Sequence, residues 1–258
     1  MVNEEEIEAL EVGTHAEVKL LVDGRRIDGR ALDEMRPMKI QAGLLHKADG
    51  SALIEWGGNK ILAAVYGPRA CLPKHESSPY RAKLSCRYLM SPFASKDEHG
   101  RAGPNRRSIE LSMVLRQALE NVVMLEMYPQ SMIEVFIEVL QASGGTRCAS
   151  LVAAAVALAN AGIPMKDLPV AVAAGRIENE ICLDVGKEED NFGQADVPIG
   201  LVPRNNDIIL LQMDGLLTKA EMMKALDYAE RAAPIIREIQ VKALANAYHV
   251  SGAGEVEG

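Results

Sequence analysis

Between residues 132 and 140, apolar Ile133, Val135, Ile137 and Val139 alternate with polar positions that include Glu134 and Glu138. A period of two puts the apolar set on one face of a half-buried strand. Shorter apolar runs at 38–45, 52–56, 60–66 and 83–90 also read as strands. Asp49-Gly50 and Gly57-Gly58-Asn59 are turn signals between the first three, so the front third predicts an antiparallel meander. The period then becomes helical. Ile109, Met113, Leu115, Leu119 and Val122-Val123 predict a helix over 106–126, and an Ala-rich apolar stretch predicts a buried helix ending at Ala161.

The last third returns to strands. Residues 170–174 and 181–185 read as a hairpin around Glu178-Asn179, and 208–213 as one more strand. A helix is expected from Leu217 to about Ala247, kinked or broken at Pro234. Strands, helices, strands and a helix predict an α+β fold of two similar β/α halves in a single domain over 25–248. An N-terminal extension (1–24) precedes it and a flexible tail (249–258) follows. Residues 91–105, with Pro92, Gly100, Gly103 and Pro104, predict a mobile loop, either functional or a plain linker.

Composition changes the picture only in places. The chain has 258 residues, 48% hydrophobic and 25% charged, an ordinary globular balance; with 4% aromatics, the core must be mainly aliphatic. A formal net charge of −8 argues against a polyanionic partner. Its distribution argues the other way: from Lys60 to Arg107 ten basic residues stand against three acids. That stretch is either a solvated surface or a local anion-binding face. The four cysteines show no C-x-x-C spacing and the five histidines no metal-ligand spacing, so neither a disulfide framework nor zinc is expected. A reducing cytoplasm fits. The N-terminal Glu4-Glu5-Glu6 is no secretory signal, and the apolar run at 151–163 is too short to span a bilayer, so no membrane partner is expected.

Three constellations carry candidate chemistry. Gly144-Gly145-Thr146-Arg147 joins a strand to a helix. Two glycines let the backbone turn tightly, the following helix offers unpaired N–H groups, and Thr146 and Arg147 add a hydroxyl and a fixed charge. An isolated loop of this kind is more often a plain turn and helix cap. Arg106-Arg107 opens a helix, where positive charge opposes the dipole; they are either solvated or waiting for phosphates. Glu188-Glu189-Asp190 and Asp196 bring carboxylates together around Gly193. They form either a solvated acidic turn or a pair able to hold Mg²⁺ and pass a proton.

Arg26-Ile27-Asp28-Gly29-Arg30, Tyr66-Gly67-Pro68-Arg69, Arg106-Arg107, residues 112–120, Gly144-Gly145-Thr146-Arg147 and Glu189-Asp190 through Asp196 occur in the order found in RNase PH-type proteins. The chain resembles that family over all but about its first twenty and last ten residues, and most closely the catalytic ring subunits of the archaeal exosome. The resemblance implies a phosphate-dependent 3′→5′ exoribonuclease that releases nucleoside diphosphates from single-stranded RNA, reversibly. It implies a hexameric ring shared with a non-catalytic RNase PH-like paralogue and topped by RNA-binding cap proteins. On it, Gly144, Gly145, Thr146 and Arg147 hold inorganic phosphate, and Arg106 and Arg107 the RNA terminus. Arg69 and His75 contact RNA further from the end. Asp190 is the expected general acid and Asp196 the expected ligand of Mg²⁺ or Mn²⁺, with the two able to share or exchange roles. The alternatives are a homohexameric tRNA-trimming RNase PH, an RNA-binding ring subunit without turnover, and a metal-dependent hydrolase releasing monophosphates.

Overall fold

The structure, a computed structural model, describes residues 19–95 and 103–252. The extension as far as residue 18, the part of the expected loop at 96–102 and the tail from 253 lie outside the described residues. A hairpin comes first, β1 (Leu21–Val22) on β2 (Arg25–Arg26), turned at Asp23-Gly24 with φ of 51° and 75°. It straddles the expected boundary at residue 24.

Strands β3 (Met38–Ala42), β4 (Gly50–Trp56) and β5 (Asn59–Ala70) form the predicted meander. Strand β6 (Lys83–Met90) precedes α1 (Arg106–Glu120), and β7 (Ser131–Gln141) follows it. The front sheet runs β3-β4-β5-β7-β6, with β6 parallel to β7 and forming one edge. Next come the buried helix α2 (Thr146–Asn160) and a hairpin of β8 (Val170–Ile177) and β9 (Glu180–Leu183). Its turn is Glu178-Asn179, both at positive φ. A short helix α3 (Lys187–Phe192) leads into β10 (Ala195–Val202), β11 (Asp207–Leu211), β12 (Asp214–Gly215) and the long helix α4 (Lys219–Gly252). The second sheet is antiparallel, β11-β10-β8-β9, with β12 also on β10.

Helix α2 is packed on β3, β4, β5 and β7 on one side and on β8 and β10 on the other. Every residue from Cys148 to Leu158 is buried, which is why the helix is built from alanine and small apolar residues. Helix α1 packs on β6 and β11, and α4 on β3, β8, β9 and β10. Each half of the chain thus supplies one five-stranded sheet, as the expected α+β fold requires.

Three expectations change. The helix predicted over 106–126 ends at Glu120, where Asn121 Nδ2 caps the carbonyl of Gln117 at 3.0 Å. The buried Val122 and Val123 continue the apolar pattern into a bridge with Met165 instead. Pro234 does not break α4, which runs on to Gly252, beyond the expected tail boundary. Pro234 and Glu230 both face solvent, so the carbonyl that loses its helical donor can be hydrated. Strand β10 was not expected at all. Pro198 and Gly200 disfavour a central strand, and burial on both faces removes the alternation that marks one.

Candidate active site

The loop between β7 and α2 is held from below by a buried polar frame. Ser143 N donates to Asn59 Oδ1 and Asn59 Nδ2 to Gly144 O, both at 2.6 Å. The Arg36 guanidinium donates to the carbonyls of Ser143 and Gly144. Arg36 is itself clamped by Asp184, with Nε–Oδ2 at 2.9 Å and Nη2–Oδ1 at 2.6 Å, and Trp56 Nε1 donates to Asp184 Oδ2 at 3.0 Å. Asp184, Arg36 and Trp56 escape sequence reasoning because each stands alone in the chain.

Gly144 and Gly145 both adopt left-handed backbone, φ 73° and 67°. A Cβ on Gly144 would lie 2.5 Å from the Gly186 carbonyl carbon, whereas on Gly145 its nearest neighbour would be 3.5 Å away. The first glycine therefore lets the loop pack against the chain entering α3 while it also lines the cleft. Gly145 caps α2 with no side-chain acceptor, so the N–H groups of the first turn and the dipole stay available to an anion. Gly144→Ala should lower stability by about 2 kcal/mol or more in chemical denaturation, and Gly145→Ala by only about 1 kcal/mol. Equal losses would show that the Gly186 contact is not tight.

The acidic run divides. Glu189 turns inward, accepts from Gly186 N at 2.6 Å and forms a buried ion pair with Arg26. Arg26 Nε meets Glu189 Oε1 at 2.6 Å, and the same guanidinium donates to the carbonyls of Leu183 and Asp184. Glu188 is exposed. Of the acidic run, Asp190 on α3 lines the cleft, and Asp196 follows on β10.

Asp190 opens onto a cleft of about 230 Å³ lined also by Tyr88, Arg107, Gly144, Thr146 and Lys187. Displacement of water by the surrounding protein pushes its carboxyl up, against the pull of Arg107 and Arg147. Asp196 is pushed up to about 7, first by burial and then by Asp190, with Arg147 opposing. Across the strand pair Asp196 stands directly opposite Asp214, a like-charge pairing that costs the fold unless a proton or cation intervenes. Asp196 Oδ1 is buried without a hydrogen-bond partner.

Arg147 shows the complementary defect. Its Nη1 donates to Gln212 Oε1 at 2.7 Å, yet its buried Nε has no partner. An orphan donor and an orphan acceptor, coupled through space, are each left for a third party: an anion for Arg147, a cation or proton for Asp196. Among the described residues no group of three or more His, Cys, Asp or Glu forms a preassembled metal cage. A divalent ion here would take one or two carboxylates and complete its shell from phosphate oxygens and water, the habit of Mg²⁺. The donor set fits that ion.

Arg106 and Arg107 occupy the first turn of α1, which holds no acidic residue. Asn105 and Ser108 form a capping box, with Ser108 N to Asn105 Oδ1 at 2.8 Å, and this satisfies the amides despite the opposing charges. Arg107 lines the cleft; Arg106 is exposed outside the lining residues. Arg69 and His75 are not brought to the cleft. Arg69 pairs with Glu134 and lies over the Tyr66 ring at 5.7 Å, and His75 is exposed in the short turn Lys74–Glu76.

Tyr88, Lys187, Gln212 and Asp214 also belong to the site, unsignalled by any motif. Asp214-Gly215 after a strand was the one readable hint. A larger groove of about 1010 Å³ lies between residues 162–168, 203–206 and α4, and contains none of these groups. No described helix is long and apolar enough to cross a membrane.

Two family models of the 3′ exoribonuclease family match the chain, domain 1 over residues 34–164 and domain 2 over residues 167–232. The chain is 54% identical to exosome complex component Rrp41 of Thermococcus onnurineus, over 92% of its own length and 95% of that protein. It is 56% identical to the protein of the same name from Pyrococcus abyssi, over 92% and 94%. Among solved structures, rice Rrp46 superposes with a TM-score of 0.76 at 26% identity, covering 85% of this chain and 100% of that one. A chain of the Archaeoglobus fulgidus exosome with RNA bound to the active site gives 0.74 at 28% identity, covering 84% and 92%.

Proposed function

Because this chain belongs to the 3′ exoribonuclease family across both of its domains, we propose that it is the phosphorolytic catalytic subunit of an exosome-type ring. It removes nucleotides from the 3′ end of single-stranded RNA, with inorganic phosphate as the attacking group and nucleoside diphosphates as products. The same chemistry run backwards extends RNA from diphosphates. Its ring partner is a non-catalytic RNase PH-like paralogue, RNA-binding cap proteins sit above, and the setting is the cytoplasm.

The observation that carries this reading is the electrostatic coupling of Asp196, whose Oδ1 has no partner, to Arg147, whose Nε has none, in the first turn of a helix without a side-chain cap. Phosphate is held by the N–H groups of the first turn, the Thr146 hydroxyl and Arg147. Arg107 receives the terminal phosphate of the RNA inside the cleft, and Arg106 one nearer its mouth. Two anions must meet before the P–O bond can form, so fixed positive charge and helix amides offset their repulsion. Asp190, which faces the cleft, donates a proton to the leaving 3′ oxygen, and Asp196 stands behind it. Asp196 with Asp190 would hold a Mg²⁺ or Mn²⁺, which would supply further charge neutralisation at the phosphates. The expected contacts are to backbone phosphates, so base preference is weak.

The test is product identity. The chain with its ring partner, single-stranded RNA and Mg²⁺ should form nucleoside diphosphates only when phosphate is added. Monophosphates formed without phosphate would mean a hydrolase, and RNA binding without turnover a scaffold. Asp190→Ala should lower turnover by about 10²-fold or more while RNA binding persists; retained activity would remove Asp190 from proton transfer.

A further inference from the structure

Tyr88 joins the two anion-handling elements of the cleft. Its backbone N donates to Ser112 Oγ of α1 at 2.9 Å, and its hydroxyl meets Thr146 Oγ1 at 3.2 Å. Tyr88 is 1% exposed and Thr146 is buried beside it, and both residues line the same cleft as Arg107 and Asp190. Burial pushes the phenol up from its ordinary value, so it keeps its proton at neutral pH.

A buried phenol proton needs an acceptor, and Thr146 Oγ1 is the one within reach. The phenol therefore donates and the threonine oxygen accepts. Thr146 has a single hydroxyl hydrogen of its own, and this arrangement leaves it to be donated elsewhere. Phosphate near neutral pH offers acceptor oxygens at the head of α2, where that hydrogen can point. With the phenol removed, the Thr146 hydroxyl loses the partner that fixes its rotor, and its hydrogen is no longer committed to the anion.

We propose that Tyr88 is a positioning residue for the attacking phosphate, orienting the Thr146 hydroxyl as a donor into the anion site. The inference rests on the phosphorolytic reading above. It assigns to the strand β6 edge a role that none of the motif residues carries: the tyrosine touches neither the anion nor the RNA, and acts through Thr146.

The test is a double-mutant cycle read as the phosphate KM, on the ring-assembled protein with saturating RNA. Tyr88→Phe should raise the phosphate KM about tenfold, the worth of one hydrogen bond to a charged group, with kcat within about threefold and the RNA KM unchanged. Thr146→Val should raise the phosphate KM at least as much, and adding Tyr88→Phe to it should change nothing further. Thr146→Ser keeps the hydroxyl and should raise the phosphate KM less than Thr146→Val does. Replacing Tyr88 by 3-fluorotyrosine, a stronger donor of nearly equal size, should lower the phosphate KM, and this arm remains decisive if Tyr88→Phe assembles poorly.

An unchanged phosphate KM in Tyr88→Phe, additive effects with Thr146→Val, or equal losses in kcat and in RNA affinity would overturn the proposal. Monophosphate products from the unaltered chain would overturn the phosphorolytic reading itself, and this proposal with it. Diphosphate products together with a flat Tyr88 series would sink the positioning role alone.

Discussion

Asp196→Asn should lower exoribonuclease turnover by about 10²-fold or more and, without divalent cation, make the protein more stable at pH 8. The sign follows from linkage. The folded state holds the carboxyl at about 7, against an ordinary 3.8, because burial and Asp190 disfavour its charge. Between those values the folded chain binds a proton that the unfolded chain releases, so stability falls as pH rises. The contribution is full below about pH 4 and lost as pH passes 7. Over roughly three pH units this amounts to an upper figure on the order of 4 kcal/mol. The amide has no charge to bury and resembles the protonated acid. Melting curves of the two proteins in a chelator should coincide near pH 4 and separate by several degrees at pH 8, the asparagine variant above. Magnesium should narrow the gap by raising only the unaltered chain. A variant less stable at pH 8 would mean that Asp196 is satisfied by the fold and is not held for a ligand.

The largest loss of stability is expected from breaking Arg26–Glu189. Both side chains are buried, and the arginine also serves two carbonyls, so Glu189→Gln strands the arginine's charge in the interior, while Arg26→Met leaves Glu189 only the longer contact to Arg30 at 3.8 Å. Removing one partner of such a pair costs about 3–5 kcal/mol. Denaturant unfolding should show it, and activity should fall as well, since Glu189 holds the turn of helix from which Asp190 projects. The double change Arg26→Met with Glu189→Leu should recover most of the stability; failure to do so would mean that the carbonyls, and not the charge, need the arginine.

Much of this was legible in the chain, and the limits have physical causes. The strands of the front sheet announce themselves because one face is wetter than the other. Helix α2 shows as small apolar residues all round. Strand β10 does not show, because it is buried on both faces and carries Pro198. For the site, Gly145, Thr146, Arg147, Arg107, Asp190 and Asp196 were readable as chemistry-bearing residues, and the fold brings them together. Glu189 was not separable from Asp190 in a run of acids: which of two neighbours turns inward depends on Arg26, far away in the chain. Arg69, expected to meet RNA further from its end, lies outside the cleft beside Glu134 and stays half exposed. Tyr88 sits within a strand with nothing local to mark its hydroxyl.

Arg26 and Glu189 lie 163 positions apart, and Asp184 lies 148 from Arg36. The loop at 143–147 is made before Asp184 and Glu189, and Arg26 and Arg36 must wait for these partners made late. Loop closure over such spans is slow and comes toward the end of folding. A fragment that stops short of residue 184 therefore lacks the partners that fix Arg26 and Arg36, and the site can take shape only once both halves of the chain are present.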